Sequence, residues 1–299
     1  MGRIDLHVHT IASSDGELSG EEIVRLALKQ DVTTLAITDH DSMDEVENTV
    51  YWGNKLGVEV IPGTEVFCRQ GNQFVHMLGY YVEIKDSPII DMVTKINTDR
   101  LKWVKEQINL LRNNGIFATE ERVYEFCRNT PPLYSAIAYS VFTDPRNQHH
   151  PLVKEYKEKY SNPLHEMSIR LLSYGKPFFS PHYIPEVIEF IKIANESGGV
   201  AVLAHPGYSQ LEVDFKNTEF IDFLVKNGLS GVEVFYTTHT YEETKRYKAY
   251  CDDHGLITTC GSDFHGKYKR HISLGQLKIT DYTLIDQLKS ERDRIRQKC

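Results

Sequence analysis

Six short segments of this chain each place a histidine or a carboxylate residue just past an apolar run that is typical of a β-strand. In chain order the segments read IDLHVHT, LAITDH, VIPGTE, FVHMLGY, AVLAHPG and TCGSDFHG. In an α/β barrel the carboxyl ends of the strands meet at one rim, so residues far apart in sequence converge there. The recurrence therefore predicts an α/β fold with one polymetal site at that rim.

The polar residues of these segments and of one following loop are competent metal ligands, six imidazoles and three carboxylates. They are His7, His9, Asp15, His40, Glu65, His76, His205, Asp263 and His265. A strand alternates its side chains, so His7 and His9 project from one face and can bind one ion. Mixed imidazole and carboxylate ligands suit Mn²⁺, Fe²⁺ or Zn²⁺ and select only weakly among them.

The order of these motifs resembles that of the polymerase and histidinol phosphatase (PHP) family of metal-dependent phosphoesterases. The matching segments are DLHVHTIASSDG, TDHDS, GTE, AHPG and GSDFHG. The resemblance implies a distorted (β/α)7 barrel that holds three divalent ions. It assigns His7, His9, Glu65 and Asp263 to the first ion, Glu65, His76 and His205 to the second, and Asp15, His40 and His265 to the third.

Strand and helix patterns alternate through most of the chain, which favours a parallel α/β architecture. Strands are expected at about 4–9, 34–38, 59–61, 74–82, 200–204, 231–235 and 257–260. Helices are expected at about 19–29, 42–56, 185–197, 219–227 and 241–254, with a charged surface helix at 283–298. Ser19 with Glu22, and Ser42 with Glu45, have the spacing of a capping box.

The middle of the chain follows a different pattern, with long helical stretches and no ligand motif between about 84 and 180. We therefore predict a barrel formed by 1–83 and 181–299 and a helical insertion domain at 84–180. Some PHP phosphoesterases carry an insertion here, and the resemblance implies that it covers the active site.

Composition limits the partners of the chain. Hydrophobic residues are 40% and charged residues 25% of the 299, and no apolar stretch approaches the ~20 residues of a membrane span. The start, MGRIDLHVHT, is expected to leave no room for a secretory signal, so we predict a cytoplasmic protein without a membrane partner. Five cysteines without a close pair favour reduced thiols. No feature indicates an obligate protein partner.

The ligand set predicts attack on phosphorus by a metal-bridging hydroxide. Glu65 is expected to bridge two ions because a carboxylate has two oxygens, and Asp263 is the second catalytic candidate. His239 follows a predicted strand and is a candidate for phosphate contact or for protonation of the leaving group. Basic candidates for substrate phosphate are Arg100, Lys102, Arg128, Arg170 and Lys267.

The leading hypothesis is hydrolysis of a small phosphorylated metabolite, with a nucleotide as the first candidate. The candidates are a 3′,5′-bisphosphate, a cyclic phosphodiester and a short oligonucleotide. Many relatives carry a Gly-Arg-Pro-His-like segment where this chain has PPLYSA at 131–136, which leaves the substrate open. A net charge of −8 disfavours long nucleic acid. Alternatives are a 5′-to-3′ exonuclease on short RNA or DNA, a histidinol-phosphate phosphatase and a non-catalytic, metal-binding regulatory module.

Overall fold

A computed structural model describes residues 2–128, 130–208 and 213–298, which form seven strands and eleven α-helices. The strands are β1 (Arg3–Val8), β2 (Val32–Ile37), β3 (Glu59–Gln70), β4 (Gln73–Tyr80), β5 (Val200–Leu203), β6 (Gly231–Tyr236) and β7 (Ile257–Gly261). The helices are α1 (Gly20–Lys29), α2 (Val46–Leu56), α3 (Pro88–Asn113), α4 (Glu120–Cys127), α5 (Tyr134–Thr143), α6 (Pro151–Lys159), α7 (Pro163–Met167), α8 (Val187–Glu196), α9 (Glu219–Lys226), α10 (Tyr241–His254) and α11 (Thr283–Arg296).

The seven strands form one sheet in the order of the chain, from β1 to β7. β1, β2 and β3 run parallel to one another, as do β5, β6 and β7. β4 is antiparallel to both of its neighbours, β3 and β5. The predicted α/β class is confirmed, and the sheet is mostly parallel.

The first and last strands of the sheet meet at their carboxyl ends. The His9 amide donates to the Phe264 carbonyl at 3.0 Å, and the Asp263 amide donates to the His7 carbonyl at 2.9 Å. Val8 also forms a parallel bridge with Phe264. These contacts bring two segments together that lie at opposite ends of the sequence. Closure of the sheet into a distorted barrel stays a prediction.

Strand β1 shows why the chain builds a buried sheet. Ile4, Leu6 and Val8 alternate with Asp5 and His7, and all five side chains are buried. Successive side chains of a strand point to opposite faces, so the apolar residues share one face and the polar residues share the other. Ile4 and Leu6 belong to a core that also includes Ala36, Ile61, Leu78, Val200 and Val202.

Helix α11 is the charged segment that the sequence predicts as a surface helix. Its residues Leu284, Ile285, Leu288 and Ile295 are buried and belong to the same core as Ile4. These four residues recur at spacings that place them on one face of a helix. The helix is therefore a packed part of the fold, although its other face is charged.

The two predicted capping boxes have different outcomes. Ser19 and Glu22 form the predicted reciprocal pair at the start of α1. The second prediction is wrong, because α2 begins at Val46 without a side-chain cap. The Glu45 carboxylate instead accepts a hydrogen bond from the Gly20 amide at 2.8 Å. Glu45 thus satisfies an unpaired amide in the first turn of the neighbouring helix α1.

Replacement of Gly57 by alanine is expected to destabilise the fold by about 1–2 kcal/mol, the cost of a side chain in left-handed backbone. Gly57 ends α2 with φ of 80°. A Cβ atom there would meet no other atom within 4 Å, so the cost comes from the backbone alone. Urea unfolding measures the free energy, with Asn54→Ala on the exposed surface of the same helix as the control. An unchanged free energy of unfolding for Gly57→Ala would contradict this expectation.

The chain divides into two compact units. The first comprises 1–12, 16–93 and 184–299 and contains the sheet. The second comprises 13–15 and 94–183, and its helices have a core of their own. Members of that core include Val104, Ile108, Val123, Ile137 and Val141. The second unit overlaps the predicted insertion at 84–180, whose role as a cover of the active site stays a prediction.

Every helix in the described part of the chain is too short or too polar to cross a lipid bilayer.

Candidate metal centre

Eight of the nine predicted ligands lie in the first unit. Each belongs to a strand of the sheet or to the few residues that follow one. His7, Glu65 and His76 lie on β1, β3 and β4, and the other five follow strands, namely His9, His40, His205, Asp263 and His265. The ninth, Asp15, belongs to the second unit, so its part in the site stays a prediction.

Glu65, expected just past a strand at about 59–61, instead lies inside a longer strand, and His76 lies inside β4 within the range predicted for a strand. Both lie inside a long hairpin, because β3 continues to Gln70 and β4 begins at Gln73. Since β4 runs antiparallel, its first half pairs with the second half of β3, and His76 lies opposite Phe67. The His76 carbonyl also accepts a hydrogen bond from the Ala204 amide at 3.1 Å, just past β5. The reversed strand thus brings His76 to the edge where the parallel strands end.

The first predicted set of ligands forms a compact group of four. The Nε2 atoms of His7 and His9 lie 3.1 Å apart. Each lies 3.3–3.4 Å from Glu65 Oε2 and 3.2–3.6 Å from Asp263 Oδ1. Two atoms that each lie ~2.1 Å from a shared tetrahedral ion are about 3.4 Å apart. His7, His9 and Glu65 are therefore spaced to hold one divalent ion, and Asp263 Oδ1 lies beside the two imidazole nitrogens.

The second predicted set uses the other oxygen of Glu65. Glu65 Oε1 lies 2.9 Å from His76 Nδ1 and 2.9 Å from His205 Nε2, and the two nitrogens are 3.3 Å apart. The side chain of Glu65 is 1% exposed. One buried carboxylate therefore turns one oxygen to each of two groups of imidazoles, which is the arrangement of a bridging ligand.

A third group consists of His9, His40 and His265, whose ring nitrogens are close enough to hold an ion together. The rings of His9 and His265 are stacked with centroids 3.9 Å apart. His40 Nδ1 lies 3.0 Å from Glu65 Oε2. The predicted third set, Asp15, His40 and His265, shares two members with this group. The group has His9 where the prediction has Asp15.

The pKa shifts of Glu65 and His9 favour the protonation states that bind metal. Burial alone would raise the pKa of the Glu65 carboxyl, but the positive charges of His76, His7 and His40 and the hydrogen bond with His205 together hold that pKa well below its ordinary value. Burial lowers the pKa of His9 well below its ordinary value, and the charge of His265 lowers it further. An ionised carboxylate and a neutral imidazole are the forms that coordinate divalent ions.

Two predicted ligands have an unusual backbone conformation. His205 has φ of 23° and Asp263 has φ of 62°, within the left-handed range that side chains rarely adopt. Such residues persist only where surrounding contacts hold them. The Asp263 amide is held by the His7 carbonyl. The His205 amide donates to Glu233 Oε2 at 2.9 Å.

Sequence reasoning missed Glu233, which lies on β6 and is fully buried. His7 Nδ1 lies 3.0 Å and 3.2 Å from its two carboxylate oxygens. Burial would lower the pKa of His7, but the negative charges of Glu233 and Glu65 raise it well above its ordinary value. A single charged residue within the apolar strand GVEVFY was the signal available in the sequence.

Asp5 was also missed, although it precedes His7 and His9 at the same two-residue spacing. Its carboxylate accepts hydrogen bonds from the Ser262 amide, the Ser262 hydroxyl and the Gly275 amide, at 2.6–2.8 Å. Asp5 therefore ties β1 to the turn that carries Asp263.

The carboxylate of Asp263 has different partners on its two oxygens. Oδ1 faces His7 and His9, as described above. Oδ2 accepts a hydrogen bond from the Tyr236 hydroxyl at 2.6 Å and contacts the Lys269 ammonium. The Lys269 side chain is 31% exposed, so a positive charge stands beside the centre and reaches solvent.

His239, predicted as a catalytic residue, has both ring nitrogens in hydrogen bonds with the backbone. Nδ1 lies 2.9 Å from the Val234 carbonyl, and Nε2 lies 3.2 Å from the Gly207 amide. With Nδ1 as the donor and Nε2 as the acceptor, the ring links the segments that follow β5 and β6. Burial lowers its pKa. A catalytic role for His239 stays a prediction.

The basic residues predicted to contact phosphate are divided between the two units. The second unit contains Arg100, Lys102, Arg128 and Arg170. Arg100 is buried on α3, whereas Arg170 is exposed and forms an ion pair with Glu166 at 2.6 Å. Lys267 lies in the first unit, with its ammonium 3.6 Å from Glu17. Contact of these residues with substrate stays a prediction.

The family model of the PHP domain matches residues 5–201, about two thirds of the chain. Three relatives also align over most of their length. The chain is 25% identical to a 3′,5′-nucleoside bisphosphate phosphatase of Chromobacterium violaceum (89% of this chain, 88% of the relative). It is 29% identical to a phosphoribosyl 1,2-cyclic phosphate 1,2-diphosphodiesterase of Eggerthella lenta (89% and 95%). It is 26% identical to the 5′-3′ exoribonuclease Rnm of Escherichia coli (87% and 84%).

A solved structure from Bifidobacterium adolescentis, described as a metal-dependent phosphoesterase, has the same fold. Its TM-score is 0.77 at 24% identity, over 95% of this chain and 94% of that chain.

Proposed function

The chain belongs to the PHP family of metal-dependent phosphoesterases, and we propose that it hydrolyses a small phosphorylated nucleotide at the cluster around Glu65. The observation that carries this proposal is the position of the Glu65 carboxylate. Its two oxygens face two separate groups of imidazoles, with Asp263 completing the first group. A shared carboxylate between two ion-sized groups is the arrangement of two-metal phosphoesterases.

We assign three divalent ions to the cluster, with Mn²⁺, Fe²⁺ or Zn²⁺ as the fitting elements. The proposed ligand sets are His7, His9, Glu65 and Asp263; Glu65, His76 and His205; and Asp15, His40 and His265. Bound ions would supply a nucleophilic hydroxide at neutral pH and neutralise charge on the phosphoryl oxygens. The chain itself supplies fixed ligands, because burial and backbone hydrogen bonds leave these side chains little freedom.

Two residues of the chain are proposed to act directly on substrate. Lys269 presents a partly exposed ammonium beside Asp263, where it would attract a substrate phosphate. Arg100 in the second unit offers a guanidinium suited to bidentate contact with phosphate. Each role is proposed because PPLYSA stands at 131–136, where the family resemblance leads us to expect an arginine.

A small substrate fits both the chain and its relatives. A net charge of −8 opposes binding of long nucleic acid, which depends on extensive neutralisation of phosphates. One relative is named for a nucleoside bisphosphate and another for a phosphoribosyl cyclic phosphate. We propose a nucleoside 3′,5′-bisphosphate or a cyclic phosphodiester as substrate, in the cytoplasm.

A substrate panel tests the function. The purified protein is depleted of metal, reconstituted with Mn²⁺ and incubated with nucleoside 3′,5′-bisphosphates, cyclic phosphodiesters, short oligonucleotides and histidinol phosphate. Chromatography of the products is expected to show rapid hydrolysis of one nucleotide class and little of histidinol phosphate. The control is the same protein kept free of metal, which should be inactive.

The panel also separates the second candidate, a 5′-to-3′ exonuclease, which the similarity to the E. coli exoribonuclease favours. That activity would release mononucleotides from the 5′ end of short RNA faster than it hydrolyses any single nucleotide. Absence of hydrolysis across the panel, with ions bound, would refute both enzymatic proposals and indicate a regulatory module.

A further inference from the structure

Glu233 lies at the back of the candidate centre and contacts two of its imidazole residues through different atoms. Its carboxylate is within 3.0–3.2 Å of His7 Nδ1, and Oε2 also accepts the His205 amide hydrogen at 2.9 Å. Glu233 is 0% exposed. A buried carboxylate with hydrogen bonds to two site residues is placed to control their geometry.

The contact with His7 determines which nitrogen of that ring faces the ions. His7 Nε2 lies 3.1 Å from His9 Nε2 and 3.3 Å from Glu65 Oε2, on the side away from Glu233. When Nδ1 carries its hydrogen toward the Glu233 carboxylate, the Nε2 lone pair is directed into the cluster. Carboxylate partners of this kind fix the tautomer and ring orientation of metal-binding histidines.

The contact with His205 stabilises a backbone conformation that few residues adopt. His205 has φ of 23°, and its amide hydrogen bonds to Glu233. The hydrogen bond offsets part of the cost of that conformation. It also holds the residue whose Nε2 lies 2.9 Å from Glu65 Oε1.

Gly261 gives an independent reason to assign a role to this contact. A Cβ atom on Gly261 would lie 2.1 Å from His7 Cβ and 2.4 Å from Glu233 Oε1. Both distances are far below van der Waals contact, so only glycine leaves the space in which His7 and Glu233 meet. The glycine on β7 therefore leaves room for the contact between His7 and Glu233.

We propose that Glu233 is a positioning residue that fixes His7 and His205 for the first two ions and thereby sets the metal affinity of the centre. The inference rests on the proposed metal-dependent function. Glu233 would act through His7 and His205 and would bind neither ion nor substrate. Partners of this kind typically change metal affinity by about 10–100-fold when they are replaced.

The test compares full-length wild type with Glu233→Gln, using Zn²⁺ as the probe. Glutamine removes the negative charge and replaces one carboxylate oxygen by an NH2 donor, so either His7 Nδ1 or the His205 amide faces a donor in place of an acceptor. Calorimetric titration of metal-free protein gives the affinities, and elemental analysis gives the number of ions bound. We expect Zn²⁺ affinity to fall by about 10–100-fold. Glu186→Gln, which changes a partly exposed residue paired with Arg69, is the matched control and should bind Zn²⁺ like wild type.

A second readout separates positioning from a general role in folding. Long-range ¹H–¹⁵N spectra of the Zn²⁺-loaded protein report the tautomer of each histidine. The signals of His7 are identified as those that disappear from the spectrum of the His7→Gln protein. Wild type should show His7 protonated at Nδ1, and Glu233→Gln should show a shifted or mixed state. If Glu233→Gln does not fold, Glu233→Asp keeps the charge but is too short to reach both partners. That variant should also lose Zn²⁺ affinity.

Two results would overturn the proposal. One is wild-type Zn²⁺ affinity in a folded Glu233 variant. The other is the loss of one bound ion while the remaining ions bind with unchanged affinity. That result would make Glu233 a metal ligand, and its proximity to His7 and His205 also permits this role. Because both readouts concern metal rather than turnover, failure of the substrate panel would leave this test intact.

Discussion

The Glu65→Gln protein is expected to lose about 10³-fold or more in kcat/KM, equivalent to ~4 kcal/mol of transition-state stabilisation. The two oxygens of Glu65 face both imidazole groups, at 2.9 Å on one side and 3.3–3.4 Å on the other. Glutamine keeps one carbonyl oxygen, and its amide nitrogen does not coordinate metal. Two ligand sets are therefore damaged by one substitution.

Two measurements check this expectation, kcat/KM on the preferred substrate and the metal content of the purified protein. The metal content of the Glu65→Gln protein should fall below that of wild type, because the ligand shared by two ions is lost. Glu59→Gln provides a matched control on the same strand, since Glu59 is partly exposed and pairs with Lys289 at 2.7 Å. That control should keep full activity. Wild-type turnover and metal content in a folded Glu65→Gln protein would refute the bridging role.

Replacement of Asp263 by asparagine is the second substitution with a large expected effect. Activity should fall by about 10²–10³-fold, or ~3–4 kcal/mol, because a negatively charged ligand is lost. Oδ1 faces the His7 and His9 nitrogens, while Oδ2 holds the Tyr236 hydroxyl and the Lys269 ammonium. Asparagine has nearly the same shape, so the variant should remain folded.

Circular dichroism and thermal unfolding establish that the Asp263→Asn protein is folded before its kcat/KM is compared with that of wild type. Asp253→Asn, a change at an exposed position of helix α10, is the control for the loss of one negative charge. Its activity should match that of wild type. Undiminished turnover by folded Asp263→Asn would remove this residue from the catalytic machinery.

The sequence was most informative where a local pattern determines geometry. The two-residue spacing of His7 and His9 predicts a shared face of a strand, and their Nε2 atoms are 3.1 Å apart. Helix α10 has its predicted bounds, because Thr240 and Gly255 provide its capping box and its left-handed stop. The alternation of strand and helix patterns predicted the α/β class, and the family resemblance added the expected (β/α)7 barrel and its three ions.

Contacts between distant segments were the part that local patterns could not predict. Glu233 meets His7 across 226 positions of sequence, and a glutamate within a strand has no signal that names its partner. The reversal of β4 was likewise hidden, because an antiparallel strand has the same alternation as a parallel one. Glu45 was assigned to the wrong helix for a similar reason, since its amide partner at Gly20 lies 25 positions away.

The left-handed backbone at His205 and Asp263 links the lifetime of this protein to its metal supply. Each such residue makes the ion-free chain less stable, by an amount of order 1–3 kcal/mol. An ion that binds only the folded chain returns about 2.7 kcal/mol when its free concentration is 100 times its dissociation constant. With the proposed ions bound only to the folded chain, a shortage of metal is therefore expected to raise the unfolded fraction, which is the form that proteases degrade.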